Sequence, residues 1–309
     1  MHLIIAHAAL DDPQAHSALD SAALPHLRAL LAGVQAQQLH RGEATDFTPP
    51  HERALAQALG LPDMDGQIPW AAWHAHQRGL TLPAGQGWAF VSLCRWQVNT
   101  QHMILSHLPV PHLDATESDT LLAALRPYFA EDGIDVLPDQ PGRWLACGAA
   151  LTEVATAAPD RVLGRELQHW LPRGPRGSVL RRWMNEMQML LYTHPVYDAR
   201  QARGQIAPNS LWFHGSGVLP QPPALRPDVV LDTSLREAAV RADTREWLRA
   251  WQALDTLVLA PLRSAPGPVQ LSLCGEAGWR TLRIQTPGAW QKIKQIFGRQ
   301  RLSELLKAL

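Results

Sequence analysis

Polar side chains able to do chemistry are densest between Asn185 and Gly217. His194, Arg200, Arg203 and Asn209 fall there within sixteen residues, followed by Trp212, His214 and the Gly215-Ser216-Gly217 exit. A helix end, a turn and a glycine-flanked strand exit form a usual ligand crevice in α/β proteins. Guanidinium groups would supply bidentate contacts to an anion there. The same residues read equally well as local structure, with His194 and Asn209 bonding turn backbone and both arginines facing solvent. His74-x-His76 has the spacing of a metal pair on a strand, but its surroundings (Ala-Ala-Trp-His-Ala-His-Gln-Arg) read as helical, and on a helix i and i+2 face apart. The hydrolase Ser elbow, the zincin His pair, the P-loop and the dinucleotide glycine fingerprint do not occur in the chain.

The elements that must position these groups alternate. Apolar or period-two runs predict strands at His2–Ala6, Ala89–Trp96, Ser210–Phe213 and Asp228–Leu231, and a hairpin over Val269–Cys274 and Trp279–Gln285. Helices are predicted over Pro25–Gly33, His51–Gly60 and Thr116–Ala130, the last opened by a Thr116-x-x-Asp119 capping box. Leu180, Trp183, Met184, Met187, Leu190 and Leu191 form one stripe of a helix over Ser178–Thr193. Asp243 with Glu246 opens another helix, and Trp290–Leu309 reads as a basic amphipathic helix interrupted at Gly298. This order predicts the α/β class with a mainly parallel sheet. The Pro-, Gly- and His-rich middle predicts an inserted α+β domain over 97–177, the core being 1–96 and 178–309.

Composition narrows the partners. In 309 residues, Lys+Arg and Asp+Glu are both 28, which leaves no basic footprint for nucleic acid. No run approaches the roughly 18 apolar residues of a membrane span. The first residues lack a basic segment followed by an apolar one, so a cytoplasmic location is expected. Cys94, Cys147 and Cys274 have neither disulfide nor zinc spacing and read as small buried hydrophobes. The 12 tryptophans have no period and read as core pieces.

His194-Pro195-Val196, Arg200, Gly204 and the run from Pro208 to Gly217 together resemble a stretch of the archaeal-type cofactor-independent phosphoglycerate mutases, H-P-V-N-x-x-R then G-x-x-P-A-N-x-I-W-L-W-G-x-G. Pro141-Gly142-Arg143-Trp144, Leu163-Gly164-Arg165, Leu171-Pro172-Arg173-Gly174, Arg182, Asn185-Glu186 and Gln188 extend the likeness to the RpfE-type bacterial regulatory proteins. The resemblance runs from about Val91 to Pro220. It implies an alkaline phosphatase-like, doubly wound sheet with an inserted substrate domain, and it adds Arg143, Arg165, Trp212 and His214 to the ligand-binding candidates. Tyr197, His214 and Ser216 depart from the pattern.

The mutase mechanism implied by the resemblance uses two divalent metals and a transiently phosphorylated serine. The first strand should end Asp-Gly, and here it ends His7-Ala8. The nucleophile motif P-G-S-D aligns with Pro49-Pro50-His51-Glu52. No histidine follows His214, although Asp243 and Asp255 remain near the C-terminal sheet. Two readings follow. In the first, the chain is a non-catalytic regulatory protein, a pseudoenzyme without cofactor. It would bind a small anionic or phosphorylated ligand, or a protein partner, through His194, Arg200, Arg203 and Asn209, with Arg143 and Arg165 assisting. In the second, it is a phosphoryl-transfer enzyme in which His7, Asp11, Asp12 and His51 replace the family's set, with manganese or zinc, and His7 or His51 carries the chemistry.

Overall fold

The computed structural model describes residues 1–98, 102–265, 267–285, 302–307 and 309, which fall into two units. Met1–Gly60 with Ala224–Leu309 forms one, and Leu61–Pro223 the other. Strands and helices are numbered here in chain order.

The discontinuous unit holds a five-stranded sheet in the order β2 (Val34–Arg41), β10 (Gly278–Ile284), β9 (Val269–Cys274), β1 (His2–Ile5), β8 (Val229–Asp232). β1 pairs in parallel with both β8 and β9, while β10 runs antiparallel to β9 and β2. The sheet is thus mixed: parallel pairing is confined to its three strands β8, β1 and β9, and an antiparallel hairpin arm extends it. One face carries α1 (Pro13–Ser21), α2 (Pro25–Leu31), α9 (Arg236–Val240), α10 (Thr244–Leu254), α11 (Ala260–Leu262) and α12 (Leu302–Leu306). Leu3, Ile5, Leu19, Leu27, Trp247, Trp251, Leu271, Leu282 and Leu305 close this core. The opposite face is lined by α3 (Pro50–Leu59), whose Ala54 packs with Ile4, Cys274 and Trp279. Pro13, Pro25 and Pro50 each stand in the first turn of their helix, where the missing N–H costs nothing.

The continuous unit is built on β3 (Gly87–Val98), which pairs antiparallel with β4 (Met103–His107), β6 (Arg143–Gly148) and β7 (Ser210–Gly217); β5 (Asp135–Gln140) adds to β6. Around it lie α4 (Trp70–Gln77), α5 (Ala115–Glu131), α6 (Pro159–Val162), α7 (Gly177–Tyr192) and α8 (Pro195–Ala202). The Met-rich stripe of α7 is core, with Leu180, Trp183, Met184, Met187 and Leu191 all buried. The sequence places the domain boundaries at 96/97 and 177/178. Because β3, β6 and β7 share one sheet, the units divide instead at Gly60/Leu61 and Pro223/Ala224.

Two local expectations are corrected. α5 is capped by Asp114, not Thr116: Asp114 accepts from the Glu117 amide, and Glu117 reaches back to the Asp114 amide. Helix α1 and strands β2, β4 and β5 carry no strong apolar period and are not foreseen; β6, the buried apolar run Trp144 to Cys147, is not foreseen either. His74 and His76 do lie on a helix, α4. The helix expected from Trp290 falls outside the described residues except for α12 and the last positions. Among the described residues, no helix is long and apolar enough to cross a membrane. All three cysteines are free and buried.

Candidate functional site

The segment that looks most like an anion pocket in sequence is built as structure. Arg200 is fully buried. Its Nε donates to the Ile206 carbonyl at 2.8 Å, Nη2 to the Pro111 carbonyl at 2.8 Å, and Nη1 to the His112 carbonyl at 3.1 Å and to the Glu117 carboxylate. Exposed Arg203 reaches the other oxygen of Glu117 and the Gln205 amide. Glu117 sits in the first turn of α5, so these contacts tie α8 to the N-terminus of α5. A buried charge is tolerated only when its donors are paired in this way. Asn209 is buried, and its amide accepts from the Trp96 N–H at 2.7 Å and donates to the Trp96 carbonyl at 2.9 Å. It completes the edge of β3 as a strand residue would. His194 is the N-cap of α8, its Nδ1 accepting from Val196 N at 3.2 Å. Trp212 is buried and donates to the Ala157 carbonyl at 3.0 Å. Arg200, Asn209, the Nδ1 of His194 and the Trp212 indole N–H therefore spend these polar atoms on closing the fold.

The departures at Tyr197 and Ser216 are likewise accommodated by local bonds. The Tyr197 hydroxyl accepts from Arg95 at 3.0 Å and from Gln201 at 3.1 Å. Ser216 Oγ lies 2.7 Å from the Val154 carbonyl and 2.9 Å from Thr156 Oγ1.

A second polar cluster in the same unit surrounds Asp139 and Phe90. Asp139, its side chain only 5% exposed, accepts from Arg143 Nε at 2.8 Å and from Arg78 Nη1 at 2.9 Å, and lies 2.7 Å from His74 Nε2. Burial pushes the Asp139 pKa up, but the hydrogen bonds from His74 and Arg143 and the Arg143 charge outweigh it and hold the carboxyl below its usual range. The Arg143 guanidinium lies 4.6 Å from the centre of the Phe90 ring, and His214 stacks on Phe90 at 5.1 Å. His214 Nε2 lies 3.0 Å from Ser92 Oγ. Burial and then the nearby Arg143 charge push its pKa down to about 3, so the ring is neutral at neutral pH. Arg78, Arg143 and His74 are all partly exposed and share the buried Asp139 carboxylate, while the Asp160 charge also reaches His214. The sequence singles out Arg143 and His214. It gives no signal for Asp139 or Arg78, which reach the cluster from β5 and the end of α4. Arg165 is exposed, its guanidinium 6.0 Å from the Trp170 ring.

In the discontinuous unit, His7 follows β1 and His51 opens α3, and their rings approach to 5.3 Å with an imidazole nitrogen of each within 4.8 Å of the other. His7 has φ +55°, a left-handed conformation uncommon outside glycine and found where surrounding structure enforces it. That enforcement comes from α10: the buried Trp247 indole donates to the His7 carbonyl at 2.9 Å. The acidic candidates stand elsewhere. Asp12 caps α1 through the Gln14 amide at 2.8 Å, and Asp11 is exposed. Asp243 caps α10 through the Glu246 amide at 3.0 Å. Asp255 is buried and accepts from the Leu27 and His26 amides at 2.6 and 3.2 Å, capping α2 from a distance in sequence. Of the expected new site, the fold brings together His7 and His51.

No family model matches the chain. A probable 2,3-bisphosphoglycerate-independent phosphoglycerate mutase of Geobacter sulfurreducens is 25% identical over 125 residues, 38% of this chain and 30% of that protein. The 2,3-bisphosphoglycerate-independent phosphoglycerate mutase of Methanosarcina mazei is 25% identical over 126 residues, 40% of this chain and 32% of the mutase. The match thus spans under a third of the length of these curated relatives. Among solved structures, the PH0037 protein of Pyrococcus horikoshii aligns with 95% of this chain and 92% of its own, at a TM-score of 0.48 and 12% identity. The cofactor-independent phosphoglycerate mutase of Thermoplasma acidophilum aligns with 100% of this chain and 99% of its own, at 0.37 and 14%. The chain is a distant relative, in sequence, of the 2,3-bisphosphoglycerate-independent phosphoglycerate mutases.

Proposed function

We propose that this chain is a phosphoglycerate mutase-like protein that has left two-metal phosphoryl transfer and acts by binding, as a regulatory protein of the RpfE type would. The observation that carries the reading is the fate of the carboxylates. Two divalent ions need several oxygen or nitrogen donors free to converge. Asp12, Asp243 and Asp255 each accept backbone amides at a helix N-terminus instead. A carboxylate in that role is held by the helix dipole and its N–H bonds. With histidine at position 51, the alcohol nucleophile is also missing from the start of α3. The implied metal pair therefore does not fit these residues.

The ligand favoured by the remaining geometry is a small anion, carboxylate or phosphate, at Arg143 and Arg78 beside His74. Isothermal titration with inorganic phosphate and 3-phosphoglycerate tests this. Arg143→Gln should remove binding while costing no more than about 1 kcal/mol of stability; undiminished affinity in that variant would discard the site. A second reading, a phosphoryl-transfer enzyme with an altered ligand set, draws on the approach of His7 and His51. The two imidazoles would supply two of the usual four ligands of zinc. Phosphate-ester hydrolysis abolished by His51→Ala, with the fold retained, would favour it.

A further inference from the structure

Edge strands expose unpaired N–H and C=O groups, and proteins usually blunt them with prolines, charges, short length or a covering segment. Three outer strands of this molecule follow that rule. β5 carries Pro138 between Asp135 and Asp139. β8 is four residues long, set between Asp228 and its own terminal Asp232. The outer side of β4 is covered by the 163–166 segment, through bridges from Leu105 to Leu163 and Ile104 to Glu166 and a 2.8 Å bond from Gly164 N to the Leu105 carbonyl.

β2 differs on each count. It is eight residues long, Val-Gln-Ala-Gln-Gln-Leu-His-Arg, and Gln35 to Gln38 are exposed. Among the described residues it pairs with β10 alone and stands last in the sheet. It contains no proline, lysine, aspartate or glutamate, and its sole permanent charge is Arg41 at one end. A register shift opposite Gln35 irregularises only its first residues, and Ala36 to Arg41 pair regularly with β10.

We propose that β2 is the edge at which two copies of this chain pair, antiparallel about a two-fold axis at Gln38. Three features favour a second copy over another partner. Gln37 Oε1 already accepts from Arg280 at 3.1 Å and the Gln35 amide donates to Gln285, but each amide keeps further donor and acceptor capacity, so the strand stays complementary to itself, whereas Lys or Glu there would meet its own charge. An antiparallel two-fold sends the two Arg41 side chains to opposite ends, roughly 20 Å apart at about 3.4 Å per residue, beyond effective repulsion at physiological salt. An isologous contact of this kind closes on itself and does not propagate into fibres.

Sedimentation velocity on the full chain across the micromolar range tests the proposal. A concentration-dependent dimer is expected. Gln38→Lys should weaken it by about tenfold or more through like charges across the axis, and Gln38→Glu should do the same. Mixing the two variants in equal amounts should restore the dimer. Gln38 is exposed, so both variants should keep the wild-type circular dichroism and melting temperature. A wild-type chain that stays monomeric, a Gln38→Lys chain that dimerises undiminished, or a mixture that stays monomeric would each overturn the proposal.

Discussion

Arg200 and Arg143 look alike in sequence, each an arginine in a mutase-like motif, and each pairs with a carboxylate. Their surroundings separate them. Arg200 is fully buried, with three backbone carbonyls and Glu117 around its guanidinium. Arg143 is partly exposed, shares Asp139 with Arg78 and His74, and lies over an aromatic ring. The first geometry is that of a fastener between α8 and α5, and the second keeps charge facing solvent. A motif match alone does not distinguish the two; the count of protein acceptors around each guanidinium does.

The sharpest way to break this comparison is to remove Arg200. Arg200→Ala strands three carbonyls, leaves Glu117 to Arg203 and the Asp114 amide, and should cost about 3 kcal/mol in chemical denaturation. Arg200→Lys should recover little of it, since an ammonium cannot reproduce the planar fork. Loss under about 1 kcal/mol would show that Arg200 is not the fastener described. Asp255→Ala comes next. It leaves two amide donors of α2 uncapped beneath the core and should cost about 2 kcal/mol by the same measurement. Arg143→Gln should sit lowest on stability, within about 1 kcal/mol as a partly exposed pair, while removing anion binding.

His214 sharpens the comparison through pH. Its folded pKa of about 3 lies below the ordinary 6.5, so the unfolded chain binds the extra proton between those values. Its contribution to stability is complete above about pH 6.5 and is lost as pH falls towards 3. His2, held at about 4 by burial and then by the adjacent N-terminal charge, acts in the same direction. The His214 ring resonances should show no titration above about pH 4 by NMR. A midpoint near 6 would mean that the ring is solvated and that Arg143 does not act on it.

Much of the fold was legible because it rests on period and caps. β1, the β9–β10 hairpin, α3, α7 and α10 carry dense apolar runs or caps and occur where the residues predict them. β2 was not legible, since Val-Gln-Ala-Gln-Gln alternates weakly and its pairing comes from β10, more than 230 residues away. The domain boundaries shifted for a similar reason: β3 joins β6 and β7 by antiparallel pairing that no local pattern announces. The site was half legible. His7 and His51 were named from the motif positions they replace, and the fold places them together. Asp139 and Arg78 carry no motif. The loss of Asp255 as a donor depends on a cap over 200 residues distant, which only the tertiary structure supplies.

We propose that the fold keeps a mutase-like sequence stretch without the means to hold the mutase's metal pair. Elemental analysis of untagged protein, incubated with Mn²⁺ and Zn²⁺ and then desalted, measures this directly, with phosphoglycerate interconversion assayed on the same sample. The account predicts at most one retained ion per chain and no interconversion. Two ions per chain accompanied by turnover would contradict it.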